Sequence, residues 1–284
     1  MPATKLALRG GLNPWFIALG RAVVAALLAA ITLRVLGARV PTRREWRQLC
    51  VVALGVVFGF PAFSTLALQT SSAAHGAVVV AMLPMATAAL SVLRTRESPG
   101  PLFWAAASAG ALIVISYTLS RAGGTLRLSD LYFLGAVLLC ALGYAEGGLL
   151  ARTLGAPQTI CWALILSLPV TLPVAAMHAP SHVPSAHAVV GFTYVSLCSA
   201  LLGFFAWYGG MARVGVARAS QLQLAQTPMT LAWSALILGE AIGWDTAAVA
   251  VGVLLCILGT QRARAGTGAL RKRRFLLASS RARP

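Results

Sequence analysis

Nine apolar runs, each near twenty residues and almost free of charge, decide most of what this chain can become. They cover roughly 14–36, 48–69, 74–93, 102–119, 131–150, 158–177, 188–210, 217–238 and 243–260. About 20 apolar residues are what a helix needs to cross the hydrocarbon of a bilayer. The runs are continuously apolar rather than alternating, so they read as helices and not as barrel strands. Turn formers separate them: Pro41, Pro99 with Gly100 and Pro101, Gly123 with Gly124, Gly155 with Pro157, and Pro180 with Pro184. Only 10% of the residues are charged, against about a quarter in soluble domains. The expected fold is an all-α, polytopic membrane helix bundle.

A net charge of +17 would suit a nucleic-acid partner, but the placement of the charges does not. They sit in short connections and in the tail, which is the membrane pattern. Eighteen of the 23 Lys and Arg fall on one side of the nine runs. They are Arg34, Arg39, Arg43, Arg44 and Arg47, then Arg94 and Arg96, Arg152, Arg213 and Arg218, and eight from Arg262 onward. Lys5, Arg9, Arg21, Arg121 and Arg127 fall on the other. Cations concentrate on the cytoplasmic side. The expectation is a multi-pass protein of a bacterial cytoplasmic (inner) membrane, with its C-terminus cytoplasmic and no nucleic acid bound. The basic tail, 263–284, reads as an anchor that also touches anionic lipids.

Nine spans would put a doubly cationic N-terminus outside, which is hard to translocate. An internal repeat explains the difficulty. Residues 59–96 fall on 203–240 at a shift of 144 without a gap. Gly59 meets Gly203, Phe60 meets Phe204, Pro84 meets Pro228 and Met85 meets Met229. The prolines weigh most, because proline breaks a backbone bond inside a helix. Under this shift the run 131–150 has no mate, and its mate would lie ahead of about residue 6. A remnant is visible where Leu6, Ala7 and Gly11 meet Leu150, Ala151 and Gly155. The expectation is therefore a ten-helix inverted repeat, five plus five, with the first helix missing. The first repeat is 1–122 and the second is 123–262. Halves with an odd helix count insert oppositely, and such architectures hold substrate near the midplane between halves.

On these residues the chain resembles the EamA family of the drug/metabolite transporter (DMT) superfamily. The resembling pieces are Leu12-Asn13-Pro14 with Arg21, the Pro84 helix followed by Arg96-Glu97, and Gln226-Thr227-Pro228 followed by Leu238-Gly239-Glu240. The run Gly143-Tyr144-Ala145-Glu146-Gly147-Gly148 looks like a subgroup of that family. The resemblance implies a secondary active transporter, often an exporter of amino acids or other small metabolites, driven by alternating access. Expected partners are a small-molecule substrate, membrane lipids and, as one option, a second copy of the chain in a homodimer. The rivals are a non-transporting or inactive truncated membrane subunit and a membrane-embedded enzyme. No catalytic set, phosphate loop or metal-ligand spacing appears, so no enzyme activity, cofactor or metal is expected.

Glu146 is the sharpest candidate, since a carboxylate inside a span is costly and tends to be functional. It reads as a proton-coupling or amine-binding group, or as a residue near the inner boundary that reaches headgroup water. Tyr144 joins it in the substrate set. Gly143, Gly147 and Gly148 read as sites of close helix contact. Arg21 either faces the cavity and holds a carboxylate or snorkels to the outer surface. Ser220, Gln223, Thr227, Thr230 and Ser234 recur at steps of three and four and share one face, with Gln226 at its border. That stripe reads as a substrate path or as glue between helices. Pro84 and Pro228 are helix breaks that either free backbone carbonyls for substrate or merely kink. His75 reads as a boundary residue satisfied by headgroups, with a proton relay as the alternative. His178, His182 and His187 read as a solvated loop. Trp207 and Tyr208 read as interfacial aromatics, or else as a cavity wall. The five cysteines, Cys50, Cys140, Cys161, Cys198 and Cys256, read as inert buried thiols.

Overall fold

A computed structural model describes residues 1–95, 101–121, 127–214 and 226–256, together with 216, 219, 223 and 258. Among these residues the chain is helical and contains no strand. The helices are α1 (Pro2–Arg9), α2 (Phe16–Val35), α3 (Arg43–Thr70), α4 (Ala73–Val80), α5 (Leu83–Thr95) and α6 (Pro101–Arg121). They continue with α7 (Leu128–Leu150), α8 (Ala156–Met177), α9 (Ala186–Arg213), α10 (Gln226–Leu238) and α11 (Trp244–Cys256). Six stretches are long and apolar enough to cross a membrane among the described residues: α2, α3, Ala73–Ser91, α7, α8 and α9. The expected run 102–119 lies within α6, and the described part of the run 243–260 is the apolar helix α11, Trp244–Cys256. Most of 215–225, where the run 217–238 begins, lies outside the described residues.

Side chains on the outside of the bundle are apolar. Leu27, Ile31, Leu138, Val190 and Leu236 are exposed. A surface so rich in aliphatic residues suits hydrocarbon rather than water. Cys50 and Cys198 belong to this exterior, which corrects the expectation that all five thiols are buried. They sit on the outward face of their helices, where a thiol packs against lipid as readily as against protein. Cys140 and Cys161 are buried and Cys256 is intermediate.

Local sequence sets the ends of the helices. Thr42 caps α3, with its backbone N–H donating to Glu45 Oε2 at 2.8 Å and its hydroxyl accepting from the Glu45 N–H at 3.4 Å. Arg39 reaches back to both Glu45 oxygens, at 2.8 and 2.6 Å, and fastens the arginine-rich loop to the helix. This bonding raises the Arg39 guanidinium above its ordinary value. Ser72 caps α4 and Ser185 caps α9. Pro84 lies in the first turn of α5, after a break at Ala81 and Met82. Pro84 therefore occupies the part of a helix where the missing N–H costs little. The residues just ahead of Gln226, which decide the same question for Pro228, lie outside the described residues.

Packing interlocks the two halves of the chain. The most extensive contacts run between α2 and α8, α3 and α7, α5 and α7, and α1 and α9, and α4 also packs on α10. Glycines allow the closest of these approaches. A Cβ on Gly55 of α3 would sit 2.4 Å from the Leu139 carbonyl oxygen of α7. One on Gly143 would sit 2.9 Å from a Val56 methyl, and one on Gly147 would lie 2.4 Å from Tyr208. Gly11 and Gly155, 144 positions apart, both adopt left-handed backbone with φ of 89° and 97°. That geometry favours glycine, which lacks the Cβ that would clash.

Candidate functional site

Three helices carry a π-helical stretch: Phe16–Gly20 in α2, Ala53–Gly59 in α3 and Val195–Leu202 in α9. Such stretches leave backbone groups loosely paired and turn side chains out of register, and they concentrate at functional sites. Here they converge. Arg21 follows the first, Val56 and Val57 belong to the second, and Ala200 with the adjoining Phe204 belongs to the third. Together with Ala22, Ile160 and Leu164 these residues line a cavity of about 10 Å³, room for about one water.

Arg21 is 9% exposed, so it does not snorkel to a surface. No ion pair or hydrogen bond to its guanidinium is present among the described residues. A buried cation without a carboxylate is expensive. Its polar neighbours are Cys140 and Tyr144 of α7. Tyr144 is partly buried and packs edge-on to Phe204 at 6.1 Å and tilted against Trp207 at 5.5 Å. Phe204 in turn meets Tyr208 at 5.4 Å, and the Tyr208 hydroxyl donates to the Gly143 carbonyl at 3.4 Å. Tyr208 is fully buried, and the Trp207 indole N–H is buried with no partner among the described residues. These two residues therefore form an inner wall rather than an interfacial belt, because α9 turns this face onto α7.

Glu146 lies two residues beyond Tyr144 and is 3% exposed. Gln48 of α3 donates to its Oε2 at 3.4 Å. Burial inside protein takes it away from headgroup water. Gly143 and Gly147 flank it on α7 and admit the close approach of α3 and of Tyr208, as their sequence context suggested.

On α10, Thr227, Thr230 and Ser234 are buried, as is Gln223 ahead of it. Gln223 Oε1 and Ser234 Oγ have no partner among the described residues. Gln226 is exposed and lies off that face. Ser220 falls outside the described residues. The stripe faces protein, but no described cavity joins it to Arg21 and Glu146.

His75 departs from its expectation as a headgroup contact. Its Nε2 lies 2.7 Å from Asp130 Oδ1 of α7, and its ring stacks on Tyr117 of α6 at 5.6 Å. All three line a polar pocket of about 260 Å³ with Thr70, Ser71, Ser129 and Thr246. Asp130, Tyr117 and Thr246 had gone unread in the sequence. The available signal was scarcity, since the chain has only six acidic residues and Asp130 is one of them.

The sequence pattern of the EamA-like transporter family matches residues 1–119 and again 127–261. A protein of Bacillus subtilis (strain 168), an uncharacterized transporter called YdeK, is 42% identical over 267 residues, covering 92% of each chain. A solved crystal structure at 18% identity superposes with a TM-score of 0.61 over 92% of this chain and 94% of its own. At that identity the likeness concerns the fold alone.

Proposed function

The chain belongs to the EamA-like transporter family, and from that premise we propose that it is a secondary active transporter exporting small metabolites that carry a carboxylate, such as amino acids. It is a DMT-type transporter and a multi-pass membrane protein. In the proposed mechanism residues 1–122 and 123–262 are two inverted halves that rock about the Arg21 cavity. The match of the family pattern to each stretch in turn supports that division. So do the π-helical stretches of α3 and α9, which nearly superpose at the 144-residue shift, and the paired left-handed glycines. The positive-inside count puts the C-terminus in the cytoplasm.

One observation carries the reading of the site. Arg21 is a buried guanidinium with no counter-ion among the described residues, held where three π-helical stretches meet. A substrate carboxylate supplies the missing charge, and guanidinium matches carboxylate in bidentate geometry. Tyr144 and Trp207 pack with each other, and Tyr144 with the cavity-lining Phe204, and are further candidate donors. Glu146, buried against Gln48, takes the coupling proton or the substrate amine. Thr227, Thr230 and Gln223 extend a polar path along α10.

The test is counterflow in proteoliposomes over a panel of amino acids, their amides and their decarboxylated amines. Carboxylates should exchange, Arg21→Lys should keep part of the flux and Arg21→Gln should lose it. Glu146→Gln should leave exchange but remove its response to a pH gradient. Exchange of the amines with Arg21→Gln unaffected would refute the assignment of Arg21.

A further inference from the structure

Beyond the Arg21 cavity, one end of the bundle carries a set of polar ties that the transport site does not use. It is the end opposite the arginine-rich loop of 34–47. Arg9 Nη1 donates to the Leu238 carbonyl at 2.8 Å. The Glu240 carboxylate accepts from the backbone N–H groups of Ala73 and Ala74, at 3.0 and 2.9 Å. His75 meets Asp130 at 2.7 Å, and the Tyr117 and Thr246 hydroxyls lie 3.0 Å apart. Every one of these ties joins residues 1–122 to residues 123–262.

Beneath the polar layer the same seam is apolar and closed. Ala74, Ala77, Val78 and Tyr117 from one half pack against Leu231 and Ala250 from the other. The opposite end of the bundle is linked across the halves as well. Gln48 reaches Glu146 at 3.4 Å, and Trp46 meets Trp162 edge-on at 5.6 Å. The polar ties of the first end are therefore placed to be made or broken as the halves move, while the apolar layer below keeps solute out.

We propose that His75, Asp130, Tyr117, Thr246 and Glu240 form the extracytoplasmic gate of the transporter, latched shut in this structure. The inference rests on the two-half reading above. The pocket of about 260 Å³ above the seam is the outer vestibule through which a polar solute leaves. Its lining of hydroxyls, one imidazole and one carboxylate suits hydrophilic cargo. The gate residues are positioning residues, which set the equilibrium between closed and open halves. Asp130 is the pivot, because both its oxygens are engaged, Oδ1 by His75 and Oδ2 by the Arg127 backbone N–H at 3.0 Å. The other charged groups at the latch are the side chains of Arg127, which lines the pocket, of Glu240, and of Lys5 and Arg9 on α1.

Cysteine accessibility in intact cells tests this without a known substrate. Ala77, 3% exposed beneath the latch, is replaced by Cys in the full chain. A membrane-impermeant maleimide is added from outside, with the parent chain as background for its native thiols. Ala77→Cys should label slowly. Adding Asp130→Asn should speed labelling about tenfold, the scale of ordinary conformational coupling. Exchanging the pair, His75→Asp with Asp130→His, should return the rate toward the slow value, which a general loss of structure would not allow. Where Asp130→Asn fails to accumulate, Tyr117→Phe and Glu240→Gln each remove one tie and should speed labelling less. Fast labelling with the latch intact, or rates unchanged by all three variants, overturns the gate. Parallel counterflow separates the two ideas: unchanged labelling with flux preserved sinks only the gate, and absent flux sinks the transporter.

Discussion

Gly55 sets how closely α3 and α7 cross beside the transport site, and replacing it with alanine tests that geometry. The added Cβ would stand 2.4 Å from the Leu139 carbonyl oxygen and 2.8 Å from the backbone N and Cα of Gly143. Ordinary contact begins near 3.4 Å, so the helices must part by roughly 1 Å, and the obstacles are backbone rather than a side chain that could swing away. Overpacking of this kind costs about 1–3 kcal/mol. Against it stands the gain from replacing glycine inside a helix, about 0.5–1 kcal/mol. The clash wins, and Gly55→Ala should be destabilised on balance. Gly210 of α9 supplies the opposite case, since a Cβ there meets nothing within 4 Å. Gly210→Ala should be neutral or more stable by up to about 1 kcal/mol. Thermal unfolding of the purified protein in detergent, followed by fluorescence of its seven tryptophans, reads both. A Gly55→Ala midpoint at or above that of the parent would refute the reasoning. So would an equal fall in both variants. Gly55→Ala should also disturb transport, because Val56 and Val57, next along the same π-helical stretch, line the Arg21 cavity.

Other expectations follow from the same geometry. Thr42→Ala removes one half of the capping box of α3 and should lower stability by about 1 kcal/mol, read in the same unfolding assay. Glu45→Gln should have a similar effect, since it also releases Arg39 from the helix start. Thiol labelling in detergent should modify Cys50 and Cys198 well before Cys140 and Cys161, which mass spectrometry of peptides resolves. In intact membranes an impermeant reagent should leave Cys198 unlabelled, because lipid covers the outward face of α9. Tyr208→Phe should be mild for stability, as its hydroxyl makes only a long bond to Gly143, whereas Tyr208→Ala should cost about 3–5 kcal/mol through the cavity it leaves.

Much of this protein is legible in its sequence because a bilayer leaves few options. Backbone groups in hydrocarbon must pair within the segment, so long uncharged runs can only be helices. That argument reached the helical class, most element positions and the separation of apolar exterior from polar connections. Rarity reached Arg21 and Glu146, since a charge in such a run is too costly to be idle. The repeat aligned Gly11 with Gly155 and Pro84 with Pro228, the prolines reading as breaks inside helices, whereas Pro84 stands in the first turn of α5.

Tertiary structure decided what those residues meet. Whether Arg21 reached a surface depended on how α8 and α9 close over α2, and no spacing within one helix encodes that. The π-helical stretches, which bring Arg21, Val57 and Phe204 to one cavity, arise from packing between helices and have no propensity signature of their own. No motif or spacing in the sequence singled out Asp130, and His75 read as a boundary group. They became a pair only because α4 and α7, far apart in sequence, start side by side. The sequence by itself determined that this chain must bury its few charges in a helical membrane bundle. Which charges face one another, and which stands without a partner, was decided by contacts between halves that lie more than fifty residues apart along the chain.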